Sequence, residues 1–365
     1  MKVQGKHFRS VWLDSDSPTV NVIDQRRLPF FFEIQRLTTV AETAAAISNM
    51  LVRGAPLIGA TAACGLFLAA SNDSSEEYIQ SSAQLLLKAR PTAVNLRWAL
   101  NRILPPILAV PHAERASVAR SEAETLCEED IATNSRIGEN GTALLEKIYQ
   151  TKPVGQPINI LTHCNAGWLA TVDWGTALAP IYKAHDAGFD LHVWVDETRP
   201  RNQGASLTAW ELQAHNIPHT IIADNAGGHL MQRGHVDVCI VGSDRTARNG
   251  DVCNKIGTYL KALAAHHNGI PFYAAMPSST IDWACKDGKN DIVIEEREPD
   301  ELLFVTGLSE KGQLTNIRVA PPGSNAANPA FDVTPHELVT GIITDRGICE
   351  AEEQSLLAMY PDYDQ

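Results

Sequence analysis

The feature that most constrains this chain is a change of hydrophobic pattern near residue 157. From there on, short apolar runs recur: INILTHC (158–164), LHVWVDE (191–197), TIIADN (220–225), VDVCIVGSD (236–244) and PFYAAMP (271–277). Between them lie segments able to form helices, such as LATVDWGTALAPIYKAH, LTAWELQAH and KIGTYLKALAAHH. The runs are continuous rather than alternating, so both faces of each strand must be covered, and the intervening helices supply the crossovers that parallel strands require. This pattern predicts a doubly wound, mostly parallel Rossmann-like α/β sheet over residues 151–365. No G-x-G-x-x-G follows any of the strands and no G-x-x-x-x-G-K-[ST] occurs, so a dinucleotide cofactor and P-loop chemistry are both disfavoured.

Upstream the character is helical. At 365 residues the chain has room for roughly two domains of about 150. After an opening hairpin (FRSVWLD, TVNVIDQ), residues from 38 to 149 read as helix after helix. Thr39 with Glu42 and Ser74 with Glu77 match the S/T-x-x-E capping box, and the prolines at 56, 91, 105 and 106 divide the region into helices of ordinary length. KPVGQP at 152–157 is the linker, which sets a mainly helical N-terminal domain at 1–150.

Composition narrows the class of function. Hydrophobic residues make up 44% and charged residues 20%, enough to bury a core. The absence of an uninterrupted apolar run of about 18 residues, and an N-terminus (MKVQGKHFRSVW) without a signal-like apolar stretch, predict a cytoplasmic chain with no membrane partner. The seven cysteines form an odd set with no C-x-x-C pair, which argues against a disulfide framework or a cysteine-built zinc site. A net charge of −13 opposes adhesion to nucleic acid, so an anionic ligand must be held by a few placed cations.

Those cations, and the chemistry, are sought where the strands end. HCNAG, DETRPRNQG, DNAGG, GSDRTARNGD and MPSST all fall at the carboxyl edge of the sheet, where ligands bind in open parallel folds. Cys164 stands where a strand hands over to a helix, a position that can lower a thiol's pKa, although a buried structural cysteine fits too. Asp244, at the rim of a buried strand, is suited to proton donation by desolvation; a helix N-cap or a partner for Arg245 are the alternatives. Asn254 and Lys255, read as the start of the following helix, would form a phosphate cradle, with Arg53 and Arg90 adding guanidinium contacts from the N-terminal domain. His215 and His219 are separated by Pro218 and do not share a helical face, so no metal site is expected there.

Taken together, RGAPLIG (53–59), RPTAVNL (90–96), LTHCNAG (161–167), DETRPRNQGASLTAWEL (196–212), GSDRTARNGDVCNKIGTY (242–259) and PFYAAMPSST (271–280) resemble the methylthioribose-1-phosphate isomerases. That superfamily also contains regulatory subunits of the translation-initiation exchange factor and ribose-1,5-bisphosphate isomerases. The resemblance implies cofactor-free and metal-free isomerisation of a furanose 1-phosphate to a ketose 1-phosphate in methionine salvage, by a homodimer acting on a small sugar phosphate. It makes Cys164 and Asp244 the catalytic pair, and Arg53, Gly54, Ala55, Arg90, Gln203, Asn254 and Lys255 the substrate-binding set. Leu57 and Ser243 replace expected alanines. A 5-deoxy sugar, a 1,5-bisphosphate or a non-catalytic regulatory role are the alternatives that this leaves.

Overall fold

The structure is a computed structural model that describes residues 1–363. Its N-terminal part opens with a short hairpin, Lys2–Val3 with Lys6–His7, followed by an antiparallel sheet of Val11–Leu13, Val20–Ile23 and Ile34–Leu37, which adds a third strand to the expected hairpin. Five helices follow: α1 (Val40–Ser48), α2 (Ala55–Asn72), α3 (Glu76–Ala89), α4 (Val94–Leu108) and α5 (Arg115–Thr151). The Thr39 capping box forms as expected, Thr39 Oγ1 accepting from the Glu42 N–H while the Glu42 carboxylate accepts from that of Thr39. At α3 the cap is displaced by one residue. Ser75 Oγ accepts from the Tyr78 N–H, and Ser74 turns instead to the ring of His112 at 2.9 Å.

Two expectations about helix length are corrected. Pro105 and Pro106 lie inside the last turns of α4 rather than ending it, and α5 runs for 37 residues. Nothing in 115–151 interrupts α5, and two glycines let it cross the helix Ala179–Asp186 (α6) closely. A Cβ on Gly141 would lie 2.3 Å from Pro180 Cγ, and one on Gly138 would lie 2.8 Å from Lys183 Cδ. The first half of α5 packs in the helical core through Ala119, Ala123 and Leu126, whereas Ile137 and Leu145 pack under the sheet. One helix, α2, is long and apolar enough to cross a membrane by length and composition alone, although polar residues interrupt it; it is buried at the centre of the helical cluster.

The five expected strands all form, within one seven-stranded sheet: β1 (Ile158–Thr162), β2 (Leu191–Asp196), β3 (His219–Ile222), β4 (Val238–Val241), β5 (Phe272–Ala275), β6 (Gly341–Thr344) and β7 (Gly347–Cys349). The order is 7-6-5-4-1-2-3. The first six are parallel and β7 pairs antiparallel at the edge. Continuous apolarity has the cause inferred for it in the central strands β1, β4, β5 and β6, which bury both faces, whereas the edge strands β3 and β7 are partly exposed. Ile160, Val193, Val195 and Ile240 pack with α5 and α6, whereas Leu161, Cys239, Val241 and Phe272 pack with the helices Ala226–Gln232 (α8) and Thr258–His267 (α9). The remaining crossover helix is the short Ala209–Ala214 (α7).

A second, four-stranded sheet was not read from the sequence. It joins Ile281–Asp282, Arg245–Ala247, Val252–Lys255 and Phe331–Thr334 in that order and sits over the carboxyl edge of the main sheet. A hairpin of Phe304–Leu308 with Leu314–Arg318 lies in the excursion between the last two of these strands in the chain.

Candidate active site

Chain order reverses between β1 and β4, since β2 and β3 lie to one side of β1 and β4, β5 and β6 to the other. Such a switch point leaves a crevice beyond the strand ends. Cys164 follows β1 and Asp244 follows β4, so the two residues flank that crevice.

Cys164 is buried and its backbone is in the left-handed region, at φ 64°. A non-glycine residue held there is strained by about 1–3 kcal/mol and persists only where its surroundings over-determine it. The clamp is visible. The Cys164 N–H donates to Thr198 Oγ1 at 2.8 Å, and its carbonyl accepts from Thr208 Oγ1 at 2.7 Å. Thr198 is itself at φ 64°. Thr208 closes a turn of π-helix, Gly204–Thr208, that leads into α7. A rigid, sharply turned strand end thus presents the thiol at a fixed angle.

The expected helix start behind Cys164 is absent. Only a short helical turn, Trp168–Ala170, follows, and α6 begins at Ala179. Burial therefore governs and pushes the thiol's pKa up, with Arg53 and Lys255 opposing it. The Asp244 carboxyl is likewise pushed up, mainly by burial, against the pull of Lys255, Arg53 and Arg90. Neither alternative role for Asp244 holds. A strand rather than a helix follows it, and Arg245 pairs with Asp282, its Nε donating at 2.9 Å.

Asn254 and Lys255 also differ from expectation. They end the strand Val252–Lys255, and α9 starts only at Thr258, after Gly257 at φ 102°. The Lys255 ammonium is buried, donates to Ala330 O at 2.9 Å and lies 4.4 Å from the centre of the Phe331 ring. Burial lowers its pKa, and the nearby Cys164 and Asp244 counteract that. The helix start that does face the pocket is that of α2. Gly54 and Ala55 line it beside Asp244, Arg90 and Phe331, with first-turn N–H groups that have no partner inside the helix. Gly54 is required there. At φ 101° its added Cβ would meet Ala170 Cα and O at 2.5 Å, so Gly54→Ala is expected to cost about 1–3 kcal/mol in backbone strain alone, measurable as a lower urea midpoint.

Both arginines reach the site by crossing from the helical part. Arg53 donates to Asn165 Oδ1 and, at 2.6 Å, to Asn165 O, one residue beyond the thiol. Asn165 in turn donates to the fully buried Glu211, which also accepts from the N–H groups of Trp168 and Leu169. Arg90 donates to Glu295 at 2.9 Å while its buried Nε has no partner among the described residues, a donor free for an anion. Gln203 is buried and lines an adjoining cleft of about 560 Å³ with Arg53, Met50, Leu207 and Phe304. Asn165, Thr198, Thr208, Glu211, Glu295 and Phe331 were not singled out by sequence. The one available signal was Glu211, a charge between Trp210 and Leu212 on an apolar helix.

Contrary to the sequence reading, a potential metal-ligand cluster does exist at the strand ends, since ligand atoms of His163, Asp196 and Asp224 lie within 4.8 Å of one another. The Lys261 ammonium stands among them, 3.1 Å from Asp196 and donating to Asp224 O. A protein cation fills the place a metal would take.

Comparison with known proteins gives consistent relatives. Residues 51–351 match the initiation factor 2 subunit family. A methylthioribose-1-phosphate isomerase of Methylorubrum populi is 60% identical over 362 residues, 99% of each chain. Among solved structures, the 5-methylthioribose 1-phosphate isomerase of Pyrococcus horikoshii OT3 superposes with a TM-score of 0.83 at 42% identity, covering 98% of this chain and 97% of that one. A protein titled translation initiation factor eIF-2B, subunit delta, from A. fulgidus gives 0.80 at 40% identity, covering 97% and 100%.

Proposed function

Because the chain belongs to the initiation factor 2 subunit family and stands with its methylthioribose-1-phosphate isomerases, we propose that Cys164 and Asp244 carry out an aldose–ketose isomerisation in the crevice between β1 and β4. The reaction takes 5-methylthioribose 1-phosphate to 5-methylthioribulose 1-phosphate, a step of methionine salvage. The observation that carries the assignment is the pair of acidic side chains flanking the switch point, Cys164 buried and Asp244 half-buried, with Arg53 and Lys255 acting electrostatically on both.

The substrate explains why these groups are needed. Its anomeric carbon bears the phosphate ester, so the ring cannot open spontaneously to an aldehyde. Asp244, whose carboxyl burial pushes toward the protonated form, gives its proton to the ring oxygen as the C1–O4 bond breaks. Hydrogen then passes with its electron pair from C2 to C1, and the C2 hydroxyl gives its proton to the Asp244 carboxylate, leaving the ketone and restoring the acid. Cys164 acts at that transfer. Its burial supports migration of hydride within the substrate, because a dry pocket protects the electron-poor carbon formed on ring opening.

The phosphate is assigned to Arg53, Arg90, Asn254 and Lys255 with the N–H groups of Gly54 and Ala55, and Gln203 is assigned to the sugar. Lys255→Met should remove one charge-assisted contact, about 1.5–3 kcal/mol, and lower kcat/KM about tenfold to over a hundredfold. Kinetics within twofold of wild type would remove Lys255 from this role. No metal takes part, so turnover should survive extensive chelation.

The 560 Å³ cleft favours a methylthio group over a second phosphate. Leu28, Met50, Leu207 and Phe304 offer apolar surface, and the further arginines are already spent on carboxylates, Arg26 on Asp24 and Arg201 on Glu301. We assign the enzyme to the cytoplasm, where its free cysteines would stay reduced, as a homodimer. The test is turnover of 5-methylthioribose 1-phosphate, 5-deoxyribose 1-phosphate and ribose 1,5-bisphosphate side by side. Ketose should form from the first and, since every reacting atom is retained, from the second. No ketose from any of the three would leave the exchange-factor type of role.

A further inference from the structure

We propose that Arg297 is a positioning residue that keeps Arg90 open to the substrate's phosphate, by occupying one oxygen of the carboxylate that anchors Arg90. The proposal rests on the isomerase reading only for the identity of the ligand that Arg90 meets.

The donors of Arg90 can be followed one by one. Nη2 donates to Glu295 Oε2 at 2.9 Å and Nη1 faces Met50 Sδ at 3.3 Å, which leaves the buried Nε without a partner among the described residues. Nε and Nη2 lie on one edge of the guanidinium plane, an edge that matches both oxygens of a carboxylate. Two other pairs in this chain take that form. Arg26 puts Nε and Nη2 on the two oxygens of Asp24, at 2.9 and 2.7 Å, and Arg297 puts its own on those of Glu301, at 3.0 and 2.8 Å. Arg90 and Glu295 do not. The reason lies at the second oxygen, since Glu295 Oε1 already accepts from Arg297 Nη1 at 2.8 Å.

Arg297 is itself held firmly. Its N–H donates to the carbonyl oxygen of the buried Asn328 at 3.0 Å, and Glu301, which takes its fork, also accepts from Asn328 Nδ2 at 3.1 Å and from Arg201 Nη1 at 2.9 Å. Against burial, Arg90 and Arg297 hold the Glu295 carboxyl below its usual range, and Arg297 and Arg201 hold that of Glu301 at about 2. Both therefore stay charged and keep their demand for donors. Arg90 lines the pocket of Gly54, Ala55 and Asp244, whereas Arg297 lines neither that pocket nor the cleft of Gln203, so it reaches the ligand only through Glu295. With Arg297 removed, Glu295 Oε1 falls vacant, the carboxylate forks onto Arg90, and the Nε donor is lost to the ligand.

The experiment uses the full chain with its arginines labelled with nitrogen-15, and inorganic phosphate as the probe. In wild type the Nε–H signal of Arg90 should shift as phosphate is added. In Arg297→Met the Kd for phosphate and the KM for 5-methylthioribose 1-phosphate should each rise about tenfold, the size of one charge-assisted hydrogen bond, with kcat changing less. Arg297→Lys keeps the charge but lacks the fork needed to span both carboxylates, and should fall between the two. Two combinations separate this from a merely structural loss. Adding Glu295→Gln to Arg297→Met should recover most of the affinity, because a neutral amide does not form the charged fork. In an Arg90→Met background, Arg297→Met should change the Kd for phosphate less than twofold. A wild-type Nε–H signal that ignores phosphate overturns the proposal, with no variant needed. So does a folded Arg297→Met or Arg297→Lys whose Kd and KM both stay within twofold of wild type, or a loss that Glu295→Gln leaves untouched. A chain that binds phosphate as expected but turns over no sugar phosphate would count against the isomerase reading and leave the positioning role supported.

Discussion

Asp244→Asn should lower kcat by about 10²–10⁴ and leave substrate binding largely intact. The amide keeps the shape of the carboxyl but cannot give a proton to the ring oxygen, and general acid catalysis is worth about that factor. Expressed as a barrier, the change is about 3–5 kcal/mol. Burial raises the carboxyl's pKa, and the opposing cations Lys255, Arg53 and Arg90 do not cancel it. The sign of the pH dependence follows. The acid is present below its raised pKa and is lost as pH rises through it, so the wild-type rate should carry a basic limb that the Asn variant lacks. Stability moves the other way. Since the folded protein holds this proton more tightly than the unfolded chain, ionisation at higher pH costs folding free energy, and Asn removes the cost. Thermal melts at pH 8 should show the variant at least as stable as wild type. A kcat above about a tenth of wild type would take the direct chemical role away from Asp244.

That a candidate site could be read from the sequence at all traces to the strands. Both residue parities of β1 and β4 are apolar because helices cover both faces, so the runs stand out, and with them the polar residues at which they stop. Cys164 and Asp244 were legible as strand ends on one edge of a parallel sheet. Their environment was not. The expected helix-dipole effect on Cys164 fails because 15 residues separate the thiol from the start of α6. What sets its geometry instead is a pair of threonine hydroxyls 34 and 44 residues away. Lys255 was misplaced for the same reason. VCNK pairs with Phe331–Thr334, about 80 residues later, and no local pattern distinguishes that strand from the beginning of the helix KIGTYLKALAAHH. The ties of Arg53 to Asn165 and of Arg90 to Glu295 span 112 and 205 residues. Periodicity reports which face of an element is buried, whereas side-chain partnerships of this range depend on the assembled fold.

Cys164→Ser should also reduce kcat far more than it weakens binding. Serine accepts the same backbone strain, and its hydroxyl fits the space of the thiol, so the clamp by Thr198 and Thr208 is kept and folding checked by circular dichroism should be unchanged. The chemistry differs. A hydroxyl is far less acidic and less polarisable than a thiol, and the charges of Arg53 and Lys255, which favour a thiolate here against burial, cannot bring a serine within reach of ionisation. The two acids also feel each other, because a charge on Asp244 raises the pKa of Cys164. Groups coupled in this way act as a unit, and their losses do not add. The double variant Cys164→Ser with Asp244→Asn should therefore be little slower than the poorer single variant. Losses that multiplied in full would mean two independent contributions, and a Cys164→Ser enzyme retaining more than about a tenth of wild-type kcat would mean that the thiol only fills space.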